Sequence, residues 1–345
     1  NQPFAVHTEL VPSPWHSGNL VLRIGLQAAD PAKDSLPPAN LVLLVDTSGS
    51  MHVEERLPLV RRALPYLVEQ LRPQDKLTLI TYAGYTQVLL EPTPGDQKAK
   101  IQNAINNLQA QGSTNGASGI QLAYAKAQEG LIKDGINRIL LLTDGDFNVG
   151  VTDFDSLKRM VEEGRRSKVG FSTVGVGIDG YNEHLMEQLA DAGDGKYSYF
   201  DSLAEAQKVL SEEYTSTLAT VAKDVKIQVE FNPAQVSEYR LIGYENRVLR
   251  NEDFRNDKVD AGEIGAGHSV TALYELTPAG VPGALEPLRY QSNETSTAKP
   301  ASDELAFVKL RFKRPDQDVS EPLEVPVLRS QAAKSLNEAS AETRF

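Results

Sequence analysis

Asn40-Leu-Val-Leu-Leu-Val-Asp46-Thr-Ser-Gly-Ser50 decides the fold of this chain. Leu41 to Val45 are all apolar with no polar alternation, which predicts a strand covered on both faces. The strand runs into a carboxylate and two hydroxyls, at Asp46, Ser48 and Ser50. Alternate residues of an extended chain point the same way. Because the strand ends at Asp46, the loop must curl to bring Ser48 and Ser50 beside it. Gly49 reads as the residue that permits the bend, through backbone angles other residues avoid. The product is a small cup of hard oxygen ligands, suited to Mg2+ or Mn2+ rather than a soft metal. The competing reading is a strand followed by an ordinary polar turn.

Outward from this stretch, short apolar runs alternate with helical periodicities as far as Leu218. The runs are Leu41–Val45, Leu77–Tyr82, Val88–Leu90, Ile139–Leu142, Val169–Val176 and Tyr197–Phe200. Leu57, Val60, Leu64 and Leu67 mark one helix face; Ile101 and Ile105, Ile120 and Tyr124, Leu157 and Val161, and Leu185 and Leu189 mark others. Ser202 with Glu205 reads as a capping box that opens a last helix. Strands alternating with helices predict an α/β fold, a doubly wound and mostly parallel sheet. Leu77–Tyr82 and Val88–Leu90 lie too close for a crossover helix, so one strand should be antiparallel.

Beyond Val221 the period is two. Val225, Ile227, Val229 and Phe231 alternate with Lys226, Gln228 and Glu230. Val270, Ala272, Tyr274 and Leu276 form a second such strand, and Val308, Leu310 and Phe312 a third. Leu323, Val325 and Val327, flanked by prolines, form an edge strand. These predict an antiparallel β-sandwich. Residues 1–37 hold one alternating strand, Asn19–Ala28, which is marginal alone and is expected to pair with the C-terminal strands. The expected organisation is a β segment at 1–37, the α/β domain at 38–218, a β-sandwich-like domain at 219–329 and a helix-patterned tail at 330–345. The natural chain is expected to continue past Phe345.

In a doubly wound sheet, ligands bind beyond the carboxyl ends of the strands at the switch point in strand order. Asp46 ends one strand, and Asp144 ends another in Ile139-Leu-Leu-Leu-Thr-Asp-Gly145. Gly112-Ser-Thr-Asn-Gly116 precedes the Ile120 helix, so its hydroxyls fall on the same edge. Asp46-Thr-Ser-Gly-Ser50, Thr114 and Thr143-Asp144-Gly145 together resemble the metal-ion-dependent adhesion site of von Willebrand factor type A domains, over roughly residues 38 to 218. The resemblance implies that Ser48, Ser50 and Thr114 ligate Mg2+ (or Mn2+ or Ca2+), with Asp46 and Asp144 holding it directly or through water. It implies that Asp146, Asn115 and Gly145 stand beside these ligands, and that one coordination position is left for an acidic residue of a partner protein. Arg240-Leu-Ile-Gly-Tyr-Glu-Asn-Arg247 and Gly262-Glu-Ile-Gly-Ala-Gly-His-Ser-Val-Thr-Ala-Leu-Tyr-Glu275 resemble the C-terminal region of bacterial envelope lipoproteins that carry such a domain. An extracytoplasmic place in the cell envelope is therefore expected, periplasmic or on the outer surface, with a lipid anchor on a cysteine this sequence lacks.

Composition narrows the classes. The 345 residues carry a net charge of -12, which disfavours nucleic acid and anionic membrane as partners. With no cysteine, there are no disulfides, thiolate metal sites or thiol nucleophiles in this sequence. No apolar run approaches the roughly 20 residues that span a bilayer. Gly175-Val-Gly-Ile-Asp-Gly180 imitates a dinucleotide fingerprint but follows a late strand, so it reads as a tight strand-to-helix turn and no nucleotide is expected. Asp144-Gly-Asp-Phe-Asn148 starts like a calcium loop, yet its glycine is one position late and its twelfth position is Asp155. Of the five histidines only His52 lies near the Asp46 loop. The expectation is a non-enzymatic, divalent-cation-dependent protein-binding module. The alternatives are a metal-assisted hydrolase and a structural protein that binds through its β domain.

Overall fold

The computed structural model describes residues 2–112, 115–145, 154–178, 182–212, 214, 220–243, 250–256, 262–283, 303–315, 317 and 319–344. The chain opens with β1 (Phe4–Pro12) and β2 (Leu20–Ala28). It continues through β3 (Ala39–Asp46), α1 (Leu57–Gln70), β4 (Lys76–Tyr82), β5 (Thr86–Pro94), α2 (Lys98–Asn106), α3 (Gly116–Glu129) and β6 (Ile136–Thr143). Next come α4 (Phe154–Arg165), β7 (Gly170–Val176), α5 (Glu183–Ala192), β8 (Tyr197–Phe200) and α6 (Leu203–Gln207). The last elements are β9 (Thr220–Phe231), β10 (Val236–Ile242), β11 (Gly262–Gly265), β12 (Ser269–Pro278), β13 (Glu304–Lys313), β14 (Glu321–Leu328) and α7 (Ala341–Arg344). Among the described residues, no helix is long and apolar enough to cross a membrane. Two compact units result: residues 1–29, 221–264 and 268–345 form one, and residues 30–220 and 265–267 the other.

The α/β unit is built on a six-stranded sheet in the order β5-β4-β3-β6-β7-β8. Only β5 is antiparallel, paired to β4 as a hairpin, and the other neighbours are parallel. All eight residues of β3 are buried. Because successive side chains of a strand face opposite ways, Leu41, Leu43 and Val45 pack with α1, α2 and α6. Val42 and Leu44 pack on the other face with Ile120, Ala123, Leu157 and Met186 of α3, α4 and α5. The chain leaves β3 for β4 on one side and later returns on the other as β6. The order therefore reverses between β3 and β6, where a crevice opens at their carboxyl ends.

Residues 30–37 belong to this unit rather than to the segment before it. Arg72 is the reason. Its guanidinium donates to the carbonyls of Lys33 (2.9 Å), Leu36 (2.8 Å) and Pro37 (2.7 Å). Asp75, paired with Arg72 at 3.0 Å, accepts the Ala39 N–H at 2.9 Å. The approach to β3 is thus held by α1's far end.

The β unit consists of two four-stranded antiparallel sheets, β1-β2-β12-β10 and β11-β9-β13-β14. β2 pairs with β1 on one side and with β12 on the other, so the N-terminal strands are completed by the C-terminal region. Leu22, Ile24 and Leu26 of β2 share one core with Val308, Leu310 and Phe312 of β13, and the Phe4 and Phe312 rings meet edge-on at 4.7 Å.

Three features depart from the sequence reading. First, residues 1–37 hold two strands where one was expected; β1 precedes Asn19–Ala28, and Pro12 is its last residue on an outer strand, where a missing N–H is tolerated. Second, the tail at 330–345 is not one helix. Short turns and α7 fold back on β1, with Ala333 N–H on the Leu10 carbonyl (2.9 Å) and Ser340 N–H on the Glu9 carboxylate (2.8 Å). Third, Lys226 is buried and Ile227 is 41% exposed, the reverse of the simple alternation. Asp224 adopts a left-handed φ of 50°, and the β9–β13 register shifts beside it between Arg311 and Lys313. The following Val225, Val229 and Phe231 still pack against the core as read, and Lys226 is buried on the opposite face, across the ladder from Arg311.

Lys226, Asp224 and Lys313 form a buried ion cluster. Lys226 Nζ lies 3.0 Å from Asp224, and Lys313 Nζ lies 2.9 Å from it, with side-chain exposures of 1%, 3% and 16% for Lys226, Asp224 and Lys313. Lys226 also donates to the Asn256 carbonyl at 2.7 Å. Removing one partner strands a buried charge, which costs about 3–5 kcal/mol. Asp224→Asn keeps a side chain that tolerates left-handed backbone, so urea unfolding should report the charge alone. A loss of about 3 kcal/mol is expected, with a smaller loss for Lys226→Met because Lys313 still neutralises Asp224. Equal losses for the two variants would refute this account.

Glu275 offers a pH handle on the same unit. Burial pushes its carboxyl up, but bonds from His16 (2.7 Å), Arg240 (2.8 Å), Ser13 (2.9 Å) and Asn19 outweigh burial and bring it down to about 2. A depressed acid stabilises the fold above its ordinary value of 4.5 and loses that contribution as pH falls toward about 2. His16 and Arg240 are more than half exposed, so solvent limits the effect to about 1 kcal/mol. Unfolding curves of wild type and Glu275→Gln should therefore differ at neutral pH and converge at about pH 2.

Candidate metal centre

β3 delivers Asp46 to the switch point with no solvent exposure. Both carboxylate oxygens already accept protein donors. Oδ1 takes the Ser48 N–H at 2.9 Å. Oδ2 takes the Tyr82 hydroxyl at 3.2 Å and the Thr143 hydroxyl at 2.7 Å. The donors come from the ends of β4 and β6, the two neighbours of β3, so the sheet itself fixes the carboxylate. Burial, partly offset by the bonds from Ser48 and Thr143 and reinforced by Asp144, raises the Asp46 carboxyl to about 6. The Tyr82 phenol is pushed well above its ordinary value by burial and by the charge of Asp46, so it serves as a donor.

After Asp46 the chain turns through Thr47 and Ser48 into a short 3-10 turn, Gly49–His52. Ser48 is 1% exposed, and its Oγ lies 3.0 Å from Ser50 Oγ. The loop is laced to its neighbours by backbone bonds: Thr47 N–H to the Tyr82 carbonyl (2.9 Å), Gln111 N–H to the Thr47 carbonyl (2.6 Å) and Gly49 N–H to the Gly112 carbonyl (2.9 Å). Gly49 is not one of the positive-φ glycines. Its small size matters instead, since a Cβ there would come within 3.2 Å of the Gly112 carbonyl oxygen. Gly112, at φ +64°, is the residue that needs glycine's backbone freedom.

Asp144 follows β6 and is 1% exposed. Gly145, at φ +84°, turns its N–H back onto the Thr143 hydroxyl at 3.1 Å. The Asp144 carboxylate accepts Arg56 Nη1 at 2.7 Å, and the same nitrogen donates to the Ser50 carbonyl at 2.9 Å. Arg56 is the N-cap residue of α1 and its side chain is 14% exposed.

The structure thus gathers Asp46, Ser48, Ser50 and Asp144 at one sheet edge. Thr114 and Asp146 lie outside the described residues. Thr114 sits in the chain between Gly112, bonded to Gly49, and Asn115. Asn115 itself caps α3, accepting the Ser118 N–H at 3.3 Å. His52 is exposed and lines an open hollow with Leu57, Pro58 and Leu108. Gly177, in the glycine-rich turn after β7, stands at φ +119°. Tyr82 and Arg56 were not singled out from the sequence, and Thr143 stood there only as part of the Thr143-Asp144-Gly145 motif, without a role. Arg56 did leave a signal there, because a cation at a helix N-terminus faces the positive end of the helix dipole and needs an anion nearby.

Two buried carboxylates and two facing hydroxyls fit a hard divalent cation. Among the described residues no three His, Asp or Glu side chains cluster, so hydroxyls must complete the ligand set here. Ser48, Ser50, Asp46 and Asp144 would hold the ion, and its charge would offset the Asp46 carboxylate, which burial otherwise pushes toward protonation.

Comparison with known proteins identifies the family. Residues 40–213 match the family model for the von Willebrand factor type A domain, and residues 216–345 match that for "Uncharacterized protein YfbK, C-terminal". The chain is 49% identical over 343 residues to the uncharacterized protein YfbK of Escherichia coli (strain K12), covering 99% of this chain and 59% of that protein. It therefore spans about three-fifths of that relative's length. The inter-alpha-trypsin inhibitor heavy chain H4 of Bos taurus is 28% identical over 226 residues, 61% of this chain and 24% of that protein. The solved structure of a von Willebrand factor type A protein from Catenulispora acidiphila superposes with a TM-score of 0.52 at 14% identity, over 94% of this chain and 73% of that one, a likeness of fold. The chain belongs to the von Willebrand factor type A domain family, with a YfbK-type C-terminal region following the domain.

Proposed function

We propose that the chain is a non-enzymatic, divalent-cation-dependent protein-binding module that captures an acidic residue of a partner at the Asp46 edge. The observation that carries this reading is the juxtaposition of Ser48 and Ser50 hydroxyls, 3.0 Å apart, with the buried carboxylates of Asp46 and Asp144. A divalent cation held there supplies a positive centre for an incoming carboxylate. The protein's own part is to fix the oxygens in advance. Tyr82 and Thr143 lock Asp46, and the Gly49–Gly112 bond ties the Ser48 loop to the stretch that leads into Thr114. Membership of a family that commonly mediates protein–protein interaction supports the same assignment. The likeness of the C-terminal region to bacterial envelope lipoproteins supports placing the full-length protein at the cell envelope.

Calorimetric titration with Mn2+ tests the site directly. The wild-type chain should bind one ion, and Ser48→Ala and Thr114→Ala should each weaken binding at least about tenfold, the loss of one ligand being comparable to the measured weight of groups around metal sites. Circular dichroism should remain native in both variants, which separates loss of a ligand from loss of the fold. A pull-down from envelope extract tests the rest: a partner retained in Mg2+ should be released by EDTA and lost with Asp46→Ala. A partner held equally in EDTA would refute the cation dependence.

A further inference from the structure

Among its described residues the α/β unit exposes five large apolar side chains: Val53, Tyr85, Leu131, Ile178 and Leu203. Singly, such residues need no explanation, but their placement does. Leu131 lies on the connection into β6, at the amino end of that strand. The other four follow β3, β4, β7 and β8, on the carboxyl edge that carries Asp46 and Asp144. Three of them are tied to the metal centre by contacts. Tyr85, 59% exposed, sits in the turn between β4 and β5. Its hydroxyl donates to Gln111 Oε1 at 2.9 Å, and the Gln111 N–H donates to the Thr47 carbonyl, next to Ser48, at 2.6 Å. Its neighbour Gly84 packs on the same loop: a Cβ on Gly112 would lie 3.8 Å from Gly84 N, and the Gly112 carbonyl accepts the Gly49 N–H. Ile178, 65% exposed, stands on the other side of the centre. It follows Gly177, where a Cβ would lie 3.1 Å from Nε of Arg56, the residue that pairs with Asp144. Val53, 49% exposed, directly follows the turn that holds Ser50, and its carbonyl accepts the Arg56 N–H at 3.1 Å.

A polar centre flanked by exposed apolar side chains is suited to a partner that brings apolar groups beside its carboxylate. Tyr85 is the natural anchor, because its bond to Gln111 already holds the ring and docking costs little side-chain freedom. The spacing defines what fits. The strand order is β4-β3-β6-β7, with the cation site between β3 and β6. Neighbouring strands lie about 4.8 Å apart, so the strand ends that carry Tyr85 and Ile178 are roughly 14 Å apart, and the cation site is about 7 Å from each. An extended peptide rises about 3.4 Å per residue, and its alternate side chains face the same way. Residues two places before and two places after an acidic residue therefore point with it and lie about 7 Å to either side. Resting on the cation site proposed above, we propose that the partner presents an extended segment whose acidic residue stands between two apolar residues, each two positions away, one meeting Tyr85 and the other Ile178.

Three end-capped peptides, titrated into the 15N-labelled full chain in Mg2+, test this: Ser-Leu-Ser-Glu-Ser-Leu-Ser, its isomer Ser-Ser-Leu-Glu-Leu-Ser-Ser, and Ser-Ser-Ser-Glu-Ser-Ser-Ser. The first should bind about tenfold more tightly than either of the others, a size in keeping with partial cover of two leucines. EDTA should release it. Tyr85→Ser and Ile178→Ser should each cut the preference to about threefold, and the double variant should erase it, as for two independent contacts. Calorimetry should give all of these variants the Mn2+ affinity of wild type. Leu131→Ser, on the opposite edge, should change neither measurement. Equal binding of the three peptides, tighter binding of the isomer, binding that survives EDTA, or no peptide binding by a chain that does bind Mn2+ would overturn this inference and leave the cation site standing. A chain that binds no Mn2+ would overturn both. Sedimentation of the full chain in Mg2+ without peptide should show a monomer. A Mg2+-dependent dimer abolished by Tyr85→Ser would assign the surface to a second copy of the chain and overturn the peptide reading.

Discussion

The structure of the α/β unit depends on keeping one carboxylate, Asp46, where no water reaches it. A buried ionised group is costly unless its lone pairs are satisfied. Here the satisfaction comes from the Ser48 N–H and from the hydroxyls of Tyr82 and Thr143. Each donor stands at the carboxyl end of a strand adjacent to β3, or in the turn that leaves β3. Correct registry of three strands and one loop is therefore a condition for burying Asp46, and the apolar faces on both sides of the sheet enforce that registry. The bonds do not remove the electrostatic cost. Asp46 still sits near a second buried carboxylate, Asp144, and its carboxyl is raised to about 6. The site is an incomplete charge arrangement held rigidly by a complete hydrogen-bond arrangement.

The rigid part explains why so much of this centre was legible in the sequence. Asp46, Ser48, Ser50 and Asp144 all lie at strand ends or within four residues of one, and the runs Leu41–Val45 and Ile139–Leu142 locate those ends. A doubly wound topology then brings the ends together at one edge. The hairpin of β4 and β5 was legible for a similar reason, since too few residues separate them for a helix. What was hidden depended on contacts distant in sequence. Arg56 reads as one more charge in Glu54-Glu55-Arg56 until Asp144, 88 residues later, is seen to receive it. Tyr82 reads as an apolar strand residue until its hydroxyl meets Asp46.

The β unit was misread at its irregularities. A period of two assumes an unbroken pleat, and β9 has a break at Asp224. There Asp224 adopts a left-handed backbone and the register with β13 slips by one residue, while Val221, Ala222, Val225 and Val229 all reach the shared core. Nothing in Ala222-Lys-Asp-Val-Lys-Ile announces that change, because Asp is only a mild indicator of left-handed backbone. The consequence was chemical as well as geometric: the residue assigned to water, Lys226, is among the most buried side chains of the protein. Likewise Gly49 was assigned an unusual backbone angle, whereas the constraint on it is the approach of the Gly112 carbonyl. Residue type told that something was special at each position, and only the neighbours told what.

The two buried charge clusters, set side by side, separate a structural role from a functional one. Asp224 has two ammonium groups within 3.0 Å, from Lys226 and Lys313, and Lys226 passes its remaining donor capacity to a backbone carbonyl. The carboxylate there is over-matched by cations that belong to the chain, so nothing further is recruited to it. At the carboxyl edge of the six-stranded sheet, the Asp46 carboxylate is held by neutral donors, the Ser48 N–H and the hydroxyls of Tyr82 and Thr143, while Arg56 pairs with Asp144. Asp46 is thus matched by hydrogen bonds rather than by an ammonium, in a place where the Ser48 and Ser50 hydroxyls already face one another. A lysine placed beside Asp46 would close the cluster as in the β unit and leave no reason for an ion to enter. The neutral character of the donors around Asp46 is therefore what suits this edge to the cation that the proposed function requires.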